Sequence, residues 1–202
     1  GDESIKLVFS GDLGNSGQPI IRDPALLETA DYLVLESTYG NRFHEPQEQR
    51  RPHLAQIIRE TVARRGNVVI PAFAIERTQD LLYDLSALYR EGEIPAQVTT
   101  YVDSPLATKA TEVFIKNPGY YDHETWQLLQ QGYQPLSFEN LQFVRTVEES
   151  KRLNAEATGS IIISASGMAD AGRIKHHLKH NLWRPEASVV LVGYQAEGTL
   201  GR

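Results

Sequence analysis

The sequence predicts an α/β fold built on a mostly parallel sheet flanked by helices. Three observations carry this. Six short runs rich in β-branched residues are apolar without alternation, as suits strands buried on both faces. Helix-period apolar stripes lie between most of them. A small polar loop follows nearly every strand. Regular alternation of strand and helix implies a layered fold with right-handed crossovers.

In chain order, residues 5–9 form the first predicted strand and lead into "FSGDLG", where Asp12 stands between Gly11 and Gly14. Glycines at such a point let the backbone turn sharply or approach a ligand. The carboxylate suits a cation, or equally a turn capped by its own backbone. Residues 32–35 form the next strand, followed by "ESTYG". Leu54, Ile57, Ile58, Thr61 and Val62 then mark one face of a helix. A strand at 68–70 and the loop "PAFAIER" come next, before a helix striped by Leu81, Leu82, Leu85, Leu88 and Tyr89. Residues 98–102 form a strand ending in "DSPLA", where Pro105 suits the first helical position. A further helix starts at Asp122 as its cap and stops at Gly132. Strands at 161–164 and 188–192 are followed by "ASGMADAGR" and "GYQAEGT".

Composition excludes some classes. The 202 residues contain no cysteine, so disulfides and thiolate metal sites are out of reach. No run matches a membrane helix, and the first thirty residues lack a basic-then-apolar signal segment. A cytoplasmic protein with no membrane partner is expected. The net charge of −6 speaks against a generic nucleic-acid binder. Residues 171–185 run the other way: Arg173, Lys175, Lys179 and Arg184 give +4 with no acid, leaving −10 elsewhere. That stretch is either an anion site or a solvated helix face.

In open parallel sheets, ligands bind outside the carboxyl ends of the strands. Five small polar loops on that edge make a binding surface. "SGMADAGRIKHHLKH" is the most specific of them: a glycine-bearing turn opens a helix whose N–H groups and dipole favour an anion. Gly167 and Gly172 have the spacing of a nucleotide-binding P-loop, but Arg173 and Ile174 replace its Lys and Ser/Thr. A phosphodiester contact with Arg173 as the fork is the sharper expectation. A helix start capped by Asp170 is the plainer one. His176 and His180 share a helix face, yet no acidic ligand accompanies them, so a metal is not expected there. Glu36 ends a buried strand, where its carboxylate is either satisfied by backbone N–H groups or orients a histidine or metal. No G-x-G-x-x-G turn follows any strand, which argues against a dinucleotide-binding domain.

Together "FSGDLG", "YLVLESTYGNR", "PAFAIERTQDLL", "SASGMADAGR" and "VGYQAEGTLGR" resemble the β-CASP branch of the metallo-β-lactamase superfamily, in order and over essentially the whole chain. The resemblance implies a Rossmann-like β-CASP domain over 41–202, truncated, preceded at 1–40 by a short edge of a metallo-β-lactamase αββα domain. It implies that Asp12 is a catalytic carboxylate bridging two zinc ions, whose bound hydroxide attacks phosphorus. Glu36 would be the second active-site carboxylate, hydrogen-bonded to a histidine that protonates the leaving oxygen. Single-stranded RNA would run past Ser166, Gly167, Met168, Gly172 and Arg173. Gly193, Tyr194, Gln195, Gly198 and Thr199 would line the same path, with Arg77 and Ser104 from neighbouring loops.

The His-x-His-x-Asp-His zinc run, the histidine upstream of Asp12 and two histidines downstream of "GYQAEGTLG" do not occur. The expectation is therefore a fragment of a zinc-dependent RNA nuclease, inactive and zinc-free alone, with a second copy of the parent as a candidate partner in a homodimer. A non-catalytic RNA-binding subunit and a DNA-acting nuclease are the alternatives.

Overall fold

A computed structural model describes residues 4–43 and 46–202. The amino-terminal part forms a two-stranded parallel ribbon, β1 (Leu7–Phe9) and β2 (Tyr32–Val34), with Leu7 opposite Tyr32 and Phe9 opposite Val34. Both strands are largely exposed, so the burial expected for these two apolar runs, and for the strand that Glu36 follows, is not observed.

The main body is a five-stranded parallel sheet in the order β5-β4-β6-β3-β7. Its strands are β3 (Val68–Pro71), β4 (Thr100–Val102), β5 (Leu141–Phe143), β6 (Ile161–Ser164) and β7 (Ser188–Val189). The helices are α1 (Gln47–Ala63), α2 (Arg77–Arg90), α3 (Pro105–Lys116), α4 (His123–Gln130), α5 (Val147–Glu156) and α6 (Ile174–Asn181). The predicted α/β class is thus the observed one.

Strand pleating sorts the core into two layers. Val68, Ile70, Val102, Ile161 and Ile163 face one way, into a cluster with Leu54 and Ile58 of α1 and Leu82 and Leu85 of α2. Val69 points to the opposite face and packs under Ile174 and Leu178 of α6. Ile162 does the same beneath Leu153 of α5. Both faces of β3 and β6 are covered, so neither strand needs a polar alternate position. Ile20 also lies in the first cluster, and Asp122 N–H donates to its carbonyl at 2.8 Å. A residue of the amino-terminal stretch therefore contributes to the main core.

Local chemistry starts α3 and α4 where Pro105 and Asp122 predict. Ser104 caps α3, accepting from Ala107 N–H at 3.2 Å, with Pro105 in the first turn. Asp122 caps α4 through Thr125 N–H at 2.6 Å. β5 and α5 were not expected. α5 opens with a capping box in which Thr146 and Glu149 bond each other's backbone N–H groups. β7 stops at Val189, short of the expected 192, and β4 begins at Thr100 rather than 98.

Candidate functional site

With every strand of the main sheet parallel, the loops after β4, β6, β3 and β7 leave from one edge, side by side. They are interlocked there. Ala72 N–H donates to Ser164 O at 3.0 Å, and Asp103 N–H donates to Ile163 O at 2.8 Å. Ser164 Oγ reaches the Asp103 carbonyl at 2.8 Å.

The turn after β6 is shaped by two glycines. A Cβ on Gly172, whose φ is +82°, would sit 2.4 Å from the Ala165 carbonyl oxygen. One on Gly167 would meet the Phe73 ring at 2.8 Å. The Ser166 carbonyl accepts from Ala169 N–H at 3.1 Å, and its Oγ accepts from Ala171 N–H at 3.4 Å. The loop after β7 folds over this turn. Gln195 Nε2 donates to Gly167 O at 3.0 Å and Gly193 O at 3.1 Å, and Gly201 N–H donates to Met168 O at 3.0 Å. Tyr194 meets the ring of Tyr39 edge-on, 5.7 Å between centroids, which joins the loop after β2 to the same surface. Gly198, at φ +83°, and Thr199, bonded to Ala196 O, close the outer turn. The structure thus brings the expected residues 166–168, 172, 193–195, 198 and 199 together.

Three expected roles are revised. Arg173 does not present a free fork. Its Nη1 donates to Asp103 Oδ1 at 2.6 Å and to Val144 O at 3.4 Å, and its Nη2 reaches Arg145 O at 3.4 Å. The guanidinium is spent on a buried acid. Ser104 is buried and occupied as the α3 cap. Asp170 does not cap α6; its Oδ1 accepts from Leu200 N–H at 2.8 Å, and Arg173 stands at the cap position with no side-chain capping bond to the helix. Arg77 opens α2, 3.2 Å from Asp80.

Asp103 is the residue that the sequence did not single out. It is fully buried and accepts from three side chains: Ser150 Oγ at 2.5 Å, Arg173 at 2.6 Å and His177 Nε2 at 2.7 Å. Burial alone would push its carboxyl up, but the His177, Ser150 and Arg173 hydrogen bonds outweigh that and hold it below the usual carboxylate range. The node joins the end of β4 to α5 and to the start of α6, the segment that carries the glycine turn. Among the described residues, His177 Nδ1 is buried with no hydrogen-bond partner. The pattern "DSP" after an apolar strand was the available signal.

Asp12 and Glu36 lie on the small ribbon. Phe9 pairs with Val34 in parallel, so the turn holding Asp12 and the Glu36 loop leave the same end. Asp12 is exposed. Glu36 is half-buried: its N–H donates to Ser10 Oγ at 3.0 Å, and its Oε2 accepts from Thr38 N–H at 2.9 Å. That backbone bond holds its carboxyl below the ordinary range, so it is anionic at neutral pH. Among the described residues, no three His, Cys, Asp or Glu side chains stand together as a metal site. Asp12 is a single donor, which does not by itself fit a pair of zinc ions.

A parallel sheet whose strand-end loops interlock around a Ser-Gly turn, together with a small parallel ribbon that carries two carboxylates, defines a class that sequence comparison makes specific. The β-CASP domain family model matches residues 78–202, and the chain belongs to the β-CASP family of the metallo-β-lactamase superfamily. It is 38% identical to ribonuclease TTHA0252 of Thermus thermophilus, over 98% of this chain and 46% of that protein. It is 31% identical to transcription termination factor FttA of Methanosarcina mazei, over 100% of this chain and 32% of the relative. With the same factor from Thermococcus kodakarensis the identity is 34%, over 92% and 28%. The chain therefore spans half or less of the length of these relatives.

Proposed function

We propose that this chain is the RNA-gripping part of a metal-dependent ribonuclease, and that it also supplies two active-site carboxylates. The observation that carries the reading is the joined edge. The Ser166–Gly172 turn, the Gln195 loop over it and the Tyr39–Tyr194 contact make one continuous surface. The family relationship supplies the chemistry: one of its relatives is named as a ribonuclease and others as transcription termination factors.

In this reading the backbone N–H groups of the glycine turn bind phosphate oxygens, and the Tyr194 ring offers a face to a base. Glu36 is held anionic by Thr38, so it can accept a proton-bearing partner and orient it. Asp12 would be one ligand of a metal site that needs further donors, and a metal held there would supply an activated water for phosphodiester hydrolysis. Arg173 acts through the fold, by pinning the turn, and not by touching RNA.

The test uses end-labelled single-stranded RNA and DNA with the full-length protein in zinc. Zinc-dependent shortening of RNA, abolished by Asp12→Ala with RNA affinity retained, is the expected result. Retained cleavage in that variant refutes the role of Asp12. RNA binding without cleavage by the wild type favours a non-catalytic RNA-binding subunit, and preferential cleavage of DNA reassigns the substrate.

A further inference from the structure

The basic stretch at 171–185 is not absorbed by the edge site. With Arg173 turned inward onto Asp103 and His177 buried, its other charges belong to the outer surface of α6. Ile174, His177, Leu178 and Asn181 form the inner face against the sheet. Lys175, His176, Lys179 and His180 are exposed, and the helix runs out into Leu182 and Trp183, which are 66% and 75% exposed. No acid lies between residues 171 and 185. An open indole at the end of a cationic helix face is unusual on a chain of net charge −6.

The geometry connects this face to the edge. α6 begins where the glycine turn ends. Its last residue, Asn181, accepts from Asn67 Nδ2 at 3.0 Å, next to the start of β3 and therefore at the opposite edge of the sheet. Lys175 to Asn181, the last residue of α6, spans about 9 Å along the helix, and Trp183 follows in the turn beyond it. The exposed Lys175 and Lys179, at i and i+4, thus lead away from the glycine turn toward an exposed Trp183 ring just past the helix end.

We infer that the outer face of α6, through Lys175, Lys179 and Trp183, is a second binding site for single-stranded RNA, which holds the strand after it leaves the edge. This rests on the RNA-acting reading above. Ammonium groups meet phosphates without reading sequence, and an exposed indole stacks on any base, so the site confers length-dependent grip and not sequence preference.

The experiment uses the chain with Trp126→Phe, so that Trp183 is the sole indole of the two present. A twenty-nucleotide oligouridylate should quench its fluorescence. Lys175→Gln with Lys179→Gln should weaken that binding about tenfold and lower the salt slope by about 1.4, the release expected for two single-strand phosphates. A four-nucleotide 5′-phosphorylated RNA, read by anisotropy, should bind both forms equally through the edge. Unchanged affinity and slope for the long RNA, or unquenched Trp183, overturns the inference. Quenching by the long RNA with no binding of the short one keeps the α6 site and rejects the edge. Failure of both RNAs to bind rejects both. Equal quenching by polyglutamate assigns the face to an acidic protein and overturns an RNA site.

Discussion

Replacing Asp103 by Asn tests the central node of the structure. The substitution keeps the shape of the side chain and removes its charge. It also places an amide donor among three donors, Ser150 Oγ, Arg173 Nη1 and His177 Nε2, all within 2.7 Å of the native carboxylate. Arg173 is only 20% exposed, so its guanidinium loses its counter-ion without gaining water. Breaking a buried pair from one side costs about 3–5 kcal/mol. For a chain of this length about 3 kcal/mol lowers Tm by roughly 6–12 °C, measured by circular dichroism at pH 7. The pH dependence carries a sign. The folded carboxyl titrates below its unfolded value of about 3.9, so its contribution is present above that value and lost as pH falls through the folded pKa. The gap between wild type and variant should therefore close in acid. Arg173→Lys should lose part of the same stability, since an ammonium cannot also reach Val144 O and Arg145 O. A loss under about 1 kcal/mol for Asp103→Asn, well short of the buried-pair range, or a gap independent of pH between 3 and 7, would refute the reasoning.

Asp80 behaves in the opposite sense. Burial pushes its carboxyl up to about 6, despite Arg77 and Arg50 nearby. The favourable protonated form is complete below about pH 4 and is lost as pH rises through 6. Asp80→Asn should accordingly match wild type at pH 4 and gain up to about 3 kcal/mol at pH 8, a shift of roughly two units converted to energy, read by urea denaturation. Gly172→Ala should cost about 2–3 kcal/mol, because positive φ and the Ala165 carbonyl both oppose a methyl group. Gly92→Ala, at φ +74° with open space around it, should cost only about 1 kcal/mol, and equal losses at the two sites would refute the close-approach argument. Asp12→Ala should change stability by no more than about 0.5 kcal/mol, as for an exposed position, and a drop of several degrees in Tm would make Asp12 structural.

The sequence by itself determined the class of the fold and most of its elements. Continuous apolar runs such as "VVI" and "IIIS" report strands buried on both faces, and Pro105 and Asp122 announce helix starts through local chemistry. It also placed the loops that follow the main-sheet strands on one edge, because parallel alternation leaves the strand ends no other arrangement. β5 escaped because three residues with an exposed Gln142 give no periodic signal. The capping box at Thr146 and Glu149 was there to mark α5. Only the tertiary structure decided which way Arg173 faces. Its partner Asp103 lies 70 residues away, and Ser150 and His177 stand 47 and 74 residues from that acid. The strand order, with β6 between β4 and β3, brings them together. An arginine opening a helix after a glycine turn has the same local pattern whether it meets a phosphate or a buried carboxylate. The choice depends on the charge the fold places beneath it, and no local spacing encodes that.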